Sequence, residues 1–252
     1  MPFFLTDRGQ PVPAVTTGEM RAVDRIVVEE VGPELLQMME NAGRTLAGLA
    51  RERTDDTVVV LASDGGNGGG GLCAARDLSN HGWDVQVVLD RAGTELTGAA
   101  ATQYRVLQGT DAALRERDHG RAALDEAGLV VDALVGYGLD GALRGRARDL
   151  VEAANAASTP VLSLDVPSGV DATPGVAVDA DVVLTLALPK TGLGATAAER
   201  ELWLADIGIP AEVYRRAGVE YDQPFSGDVR VRLRPDSPDA GGISVYKRGE
   251  SC

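Results

Sequence analysis

The sequence predicts an α/β fold: a mostly parallel sheet covered by helices on both faces. Strand-length apolar runs beginning at Val58, Val85, Leu129, Val161 and Val182 alternate with stretches of helical spacing. The runs stay apolar instead of alternating with polar residues, as parallel strands buried on both faces do. Asn67, Asp132, Asp165 and Lys190 fall at or just beyond the carboxyl ends of such runs, where open α/β sheets gather their ligands.

Taken in order, residues 1–16 read as a loose, proline-punctuated leader. Thr17 is placed to cap a helix, GEMRAVDRIVVEE, with Met20, Val23 and Val27 as its apolar stripe; Gly32 and Pro33 break it. A second helix, ELLQMMENAGRTLAGLARER, presents Leu35, Met38, Met39, Ala42, Leu46 and Leu49. Glu40 and Asn41 interrupt that stripe, either to tie a neighbouring loop or to reach a site. The strand Val58–Ser63 then enters a glycine turn, Gly65–Gly71, broken only by Asn67. Leu72, Ala74, Ala75 and Leu78 continue as a helix that Asn80 and Gly82 stop.

A strand from Asp84 to Asp90 follows, then a helix over residues 94–108. The charged stretch Asp111–Ala127 reads as a solvated helix, with His119 on its surface. The strand from Leu129 carries Asp132 inside it; a helix, Arg148–Ala157, leads to the strand that Asp165 closes. One more apolar strand ends at Lys190, and ELWLADIGIP adds another. Beyond Pro210 the pattern weakens to a short helix and an edge strand. The expected organisation is a leader (1–16), one domain (17–225) and a tail (226–252) that has room for that strand.

With 252 residues and 44% apolar content, the chain can bury a full-sized core. A net charge of -14 argues against nonspecific nucleic-acid binding, because a phosphate backbone needs a cationic surface. No apolar run reaches the roughly 18 residues a membrane span needs, and Cys73 and Cys252 make no disulfide scaffold, so a cytoplasmic protein is expected. Lysine occurs only at 190 and 247, and Lys190 stands in an otherwise uncharged run.

The glycine run is an anion-binding device: unpaired N–H groups and the positive end of a helix dipole face whatever lies over it. Gly66, Gly68 and Gly71 satisfy G-x-G-x-x-G, and Asp90 stands about 20 residues on, where a ribose-binding acid belongs. A run this rich in glycine meets that pattern cheaply, so the reading is a phosphate-bearing or nucleotide ligand, not ordinary dinucleotide binding. Asp132, an acid inside an apolar strand, must be paired, protonated or coordinated. With Asn67 and Ser168 it would make an all-oxygen environment suited to a hard monovalent cation. Asp165 and Lys190 form the remaining ionisable pair, with Asp165 as general acid/base and Lys190 fixing its charge.

At these residues the chain resembles the YjeF N-terminal domain family, whose best known members are the NAD(P)H-hydrate epimerases. The resemblance rests on MRAVDR, MMENAGR, GGNGGGGLCAAR, VDALVGYGL, LSLDVPSGVDATPG, VLTLALPKTGL and LWLADIGIP, in the family's order over residues 17–210. It implies a Rossmann-like three-layer α-β-α sandwich with extra N-terminal helices, and a homodimer. The implied activity is interconversion of the C6 hydroxyl epimers of hydrated nicotinamide cofactors. A potassium ion would sit on Asn67, Asp132 and Ser168. Gly66, Asn67, Gly68, Gly69 and Gly70, then Gly136, Tyr137, Gly138, Leu139 and Arg144, with Asp165, would contact the nucleotide. Asp165 and Lys190 would be catalytic. An ATP- or ADP-dependent dehydratase, common beside such epimerases, would be a separate chain. The family's turn typically reads G-P-G-N-N-G-G-D-G; here Gly66 and Gly70 replace an asparagine and an aspartate, and Tyr137 replaces a threonine. Those losses also suit a nucleotide-binding or scaffold protein without turnover, or an enzyme of the same fold with another substrate.

Overall fold

The computed structural model describes residues 3–32, 34–115, 120–170, 175–195 and 199–236; His119 and Cys252 lie outside them. The described strands are β1 (Phe3–Thr6), β2 (Pro11–Pro13), β3 (Val58–Ala62), β4 (Val85–Leu89), β5 (Ala113–Arg115), β6 (Leu129–Ala133), β7 (Val161–Leu164), β8 (Val182–Leu186), β9 (Glu201–Ala205) and β10 (Arg230–Pro235). They form one sheet in the order β2-β1-β10-β9-β8-β7-β6-β3-β4-β5. From β5 to β9 every pairing is parallel; β10, β1 and β2 add an antiparallel margin. The centre of the sheet reads as apolar runs because every residue of β3, β4 and β6 is buried.

Helices α2 (Leu35–Arg51), α3 (Gly65–Asn80) and α4 (Gly98–Leu107) pack on one face. On the other lie α1 (Thr17–Ile26), α5 (Gly120–Asp125), α6 (Gly145–Ala156) and α7 (Ala211–Arg216). The result is a Rossmann-like α-β-α sandwich. Strand order reverses between β3, whose successor β4 lies on one side, and β6 on the other. That switch opens a crevice over the carboxyl ends.

Four local expectations need correction. The leader is not loose: Phe4 and Val12 are buried, and residues 3–6 and 11–13 are strands. Its end also braces the site, since Val15 pairs with Lys190 through Val15 N–H to Pro189 (2.9 Å) and Thr191 N–H to Val15 (3.0 Å). The cap of α1 is Thr16, one residue earlier than expected; it accepts from Glu19 N–H at 3.2 Å, and Glu19 accepts from Thr16 N–H at 2.7 Å. The stretch Asp111–Ala127 divides into β5 and α5 around undescribed residues 116–119. The strand of the tail is not at the edge: β10 lies between β9 and β1.

Candidate active site

A cleft of about 560 Å³ opens over the switch point. Its floor comes from the carboxyl ends of β3, β6, β7 and β8, and its wall from α1 and α2. Of the expected nucleotide contacts, Gly66, Asn67, Gly70, Gly136, Tyr137, Gly138 and Asp165 line it, as does Lys190. Gly68 and Gly69 do not: an added Cβ would lie 1.7 Å from the Ser63 carbonyl oxygen and 2.6 Å from the Met39 methyl, so they are packing residues. Leu139 packs against the core, and Arg144 is exposed at the start of α6; neither lines the cleft. Asp90 bonds Ser63 Oγ (2.9 Å) and Arg91 outside the lining.

The glycine run is not a turn but the first two turns of α3. Only Gly65 takes a left-handed backbone, φ 91°, which a side chain would resist. Asp64 holds the N-cap position without capping; its carboxylate accepts instead from Thr97 N–H at 3.0 Å and Thr97 Oγ at 2.8 Å. Thr97's N–H holds Asp64 below the usual carboxylate range. Diverting that side chain leaves the helix N-terminus to an incoming anion.

Asp132 is wholly buried beneath the cleft. Burial pushes its pKa up, against the hydrogen bonds that favour the charged form. It accepts from Ser168 Oγ (2.6 Å), Ser163 Oγ (2.8 Å), Ser168 N–H (2.9 Å) and Leu134 N–H (3.3 Å). These four donors satisfy the buried carboxylate. In the cleft lining, the side-chain nitrogen of Asn67 is buried with no partner.

Asp165 follows β7 in a left-handed conformation, φ 69°, and Ala187 after β8 does the same at 63°. Non-glycine residues hold such conformations at a cost of about 1–3 kcal/mol, typically where function demands it. Every hydrogen bond described for the Asp165 carboxylate is one it accepts: from Lys190 Nζ, from Tyr137 N–H at 3.1 Å and from Leu186 N–H at 3.4 Å. Lys190 also donates to the Leu186 carbonyl at 2.8 Å, and both members of the pair are almost entirely buried. Gly136 is small for a reason: a Cβ there would sit 3.0 Å from Asp165 Oδ2 and 3.3 Å from Asn67 Oδ1.

Two cleft residues escaped the sequence reading. Asp24 on α1 accepts from the Tyr137 hydroxyl, and burial raises its pKa while that bond and Lys190 oppose the rise. Arg21, one turn earlier, reaches the Gly138 carbonyl at 3.4 Å. Their signal was position: each directly follows a buried residue of α1, Arg21 after Met20 and Asp24 after Val23. Glu40 and Asn41 stay outside the lining, Glu40 binding Arg76 and Gln103 and Asn41 binding the Ile207 carbonyl.

The family described as YjeF-related protein N-terminus matches residues 35–192. An NAD(P)H-hydrate epimerase of Dehalogenimonas lykanthroporepellens is 47% identical over 242 residues, covering 91% of this chain and 96% of that protein. The enzyme of the same name from Rhodopirellula baltica is 35% identical, over 82% of this chain and 89% of that one. A bifunctional NAD(P)H-hydrate repair enzyme Nnr of Hyperthermus butylicus is 37% identical over 91% of this chain, which spans 44% of its length. The crystal structure of yeast ynu0, YNL200c, superposes with a TM-score of 0.77 at 22% identity, covering 88% of this chain and all of the other. That last likeness concerns the fold alone.

Proposed function

The chain belongs to the family of YjeF-related protein N-termini, and we propose that it is an isomerase, an NAD(P)H-hydrate epimerase. One observation carries the reading: the N-terminus of α3 and the Asp165–Lys190 pair open into the same cleft. The first can receive phosphates and the second can handle protons.

The substrate carbon, C6 of the hydrated nicotinamide ring, bears a hydroxyl beside a ring nitrogen. The nitrogen lone pair expels that hydroxyl as water once the oxygen is protonated, leaving a planar cation that water re-enters from either face. Asp165 takes the proton of the entering water, and Lys190 fixes the orientation of its carboxylate. The nucleotide's phosphates lie over the first turn of α3 at Gly66. Tyr137, Gly138 and Gly136 form the loop beside them.

Asn67, Asp132 and Ser168 fit a potassium ion: their donor set is all oxygen with one carboxylate, and the partnerless Asn67 amide lacks only a ligand for its oxygen once flipped. When bound, the ion supplies positive charge toward the nucleotide's phosphates. A homodimer and a separate dehydratase complete the proposal. The Nnr relative, matched over 44% of its length, supports a partner activity outside this chain.

Epimerisation of one purified hydrate, followed by chiral separation with and without potassium, tests the reading. Conversion above the spontaneous rate is expected, falling at least about 100-fold in Asp165→Asn and in Lys190→Ala. A folded protein that never exceeds the spontaneous rate overturns it.

A further inference from the structure

Epimerisation removes an oxygen from one face of the ring and adds another to the opposite face, through a planar cation. Each face needs a group to protonate the departing hydroxyl or deprotonate the entering water. A carboxylate locked in place, as Asp165 is by an ammonium and two N–H groups, serves one face only.

We propose that Asp24, acting through the hydroxyl of Tyr137, is the second acid–base group of this cleft and serves the ring face that Asp165 does not. The inference rests on the epimerase reading. Tyr137 touches both carboxylates, Asp165 with its main-chain N–H and Asp24 with its phenol. The two acids therefore stand apart by the reach of a tyrosine side chain, and all three residues line the cleft. The face of the Tyr137 ring also receives Lys190, whose Nζ lies 5.3 Å from its centroid. A phenol hydroxyl can donate or accept, so the Asp24–Tyr137 pair can carry a proton on either oxygen, whereas the described partners of the Asp165 carboxylate only donate. Burial favours the protonated form of Asp24. The groups that face it are Tyr137, Lys190 and Asp165, with Tyr214 of α7 beyond and Arg21 on its own helix.

The step balances. The Asp24 proton passes through the Tyr137 hydroxyl to the C6 oxygen. The C–O bond breaks with its electrons on oxygen, the ring nitrogen's lone pair forms the C=N bond, and water leaves. A second water bonds to C6 from the opposite face, its lone pair forming the C–O bond and its spare proton going to Asp165. In the reverse direction the two acids exchange roles. Between turnovers Asp165 loses a proton to solvent and Asp24 regains one.

The test incubates each separated hydrate epimer in isotopically labelled water and follows both label uptake and epimerisation. The wild type is expected to do both with either epimer. Asp24→Asn should lose epimerisation at least about 100-fold yet keep label exchange in one epimer, while Asp165→Asn keeps exchange only in the other. Tyr137→Phe, which leaves both acids in place, should weaken the same epimer's exchange as Asp24→Asn. Asp24→Asn that epimerises at the wild-type rate overturns the assignment, as does an equal slowing of exchange in both epimers, the mark of a merely structural role. A wild type that neither epimerises nor exchanges overturns the epimerase reading, and this assignment with it.

Discussion

Asp132 and Asp165 come from neighbouring strands, and in both cases an acid follows a run of apolar residues. Their surroundings separate them. Asp132 lies beneath the floor, where four donors from three residues surround its carboxylate. Asp165 lies on the floor, with a strained backbone and an ammonium partner. The same division runs through the glycine run: Gly66 and Gly70 face the cleft, while Gly68, Gly69 and Gly71 let α3 approach Ser63, Met39 and Ala133. One layer holds the floor in shape, and the layer a few ångströms above it does the chemistry.

Asp132→Ala breaks that comparison most severely if it is wrong. It leaves three buried donors without an acceptor, Ser168 Oγ keeping the Val135 carbonyl, each worth about 1–3 kcal/mol, for a loss of about 3 kcal/mol or more. For a chain of this size the melting temperature should fall by about 6 °C or more. Asp165→Asn keeps an oxygen toward Lys190 and a residue that tolerates the left-handed backbone, so its stability loss should stay below about 2 kcal/mol. Thermal melts of the two variants side by side decide the matter. Equal losses would mean that both acids are structural.

A smaller effect sharpens the contrast at the cleft wall. Burial raises the pKa of Asp24, so the folded chain keeps this proton to higher pH than the unfolded chain does. Below the unfolded value, about 3.9, both states are protonated and the group is neutral in stability. As pH climbs past that value the unfolded state ionises first, and stability falls until Asp24 ionises in the folded state too. Asp24→Asn removes that fall. Denaturant melts across the acidic range should therefore show the variant gaining on the wild type as pH rises from about 4; parallel curves would mean that Asp24 is not buried as described.

The layered sheet was legible because parallel strands buried on both faces are mostly apolar, and β3, β4, β6, β7 and β8 each carry at most one polar residue. The same rule hid the margin. β1 and β2 are short, β2 carries two prolines and pairs only with β1, and β1 gains its other partner from β10, a segment more than 200 residues away in sequence. The charged stretch before β6 concealed β5 because three residues are too few to set a period. At the site, acids and glycines at strand ends were readable, but their depth was not. Whether a glycine faces ligand or a neighbouring carbonyl depends on which side of α3 it falls. Asp24 was hidden for the opposite reason: it sits on a helix among exposed charges, and only the seating of α1 against the Gly136–Gly138 loop turns it inward.

The smallest expected effect lies at Gly66, where the family carries an asparagine. An added Cβ meets nothing within 4 Å, and the residue is helical without a left-handed backbone. Replacing glycine inside a helix gains up to about 0.5 kcal/mol, so Gly66→Asn should melt within about 2 °C of the wild type. Its side chain enters the cleft beside the phosphate-binding N–H groups. The expected change is in KM, up to about tenfold, with kcat nearly constant, because a new contact to the nucleotide's phosphates acts alike on ground and transition states. A melting temperature that drops as a clash would demand, of the kind a Cβ on Gly68 makes 1.7 Å from the Ser63 oxygen, would place Gly66 in the packing layer and erase the division between the two faces of α3.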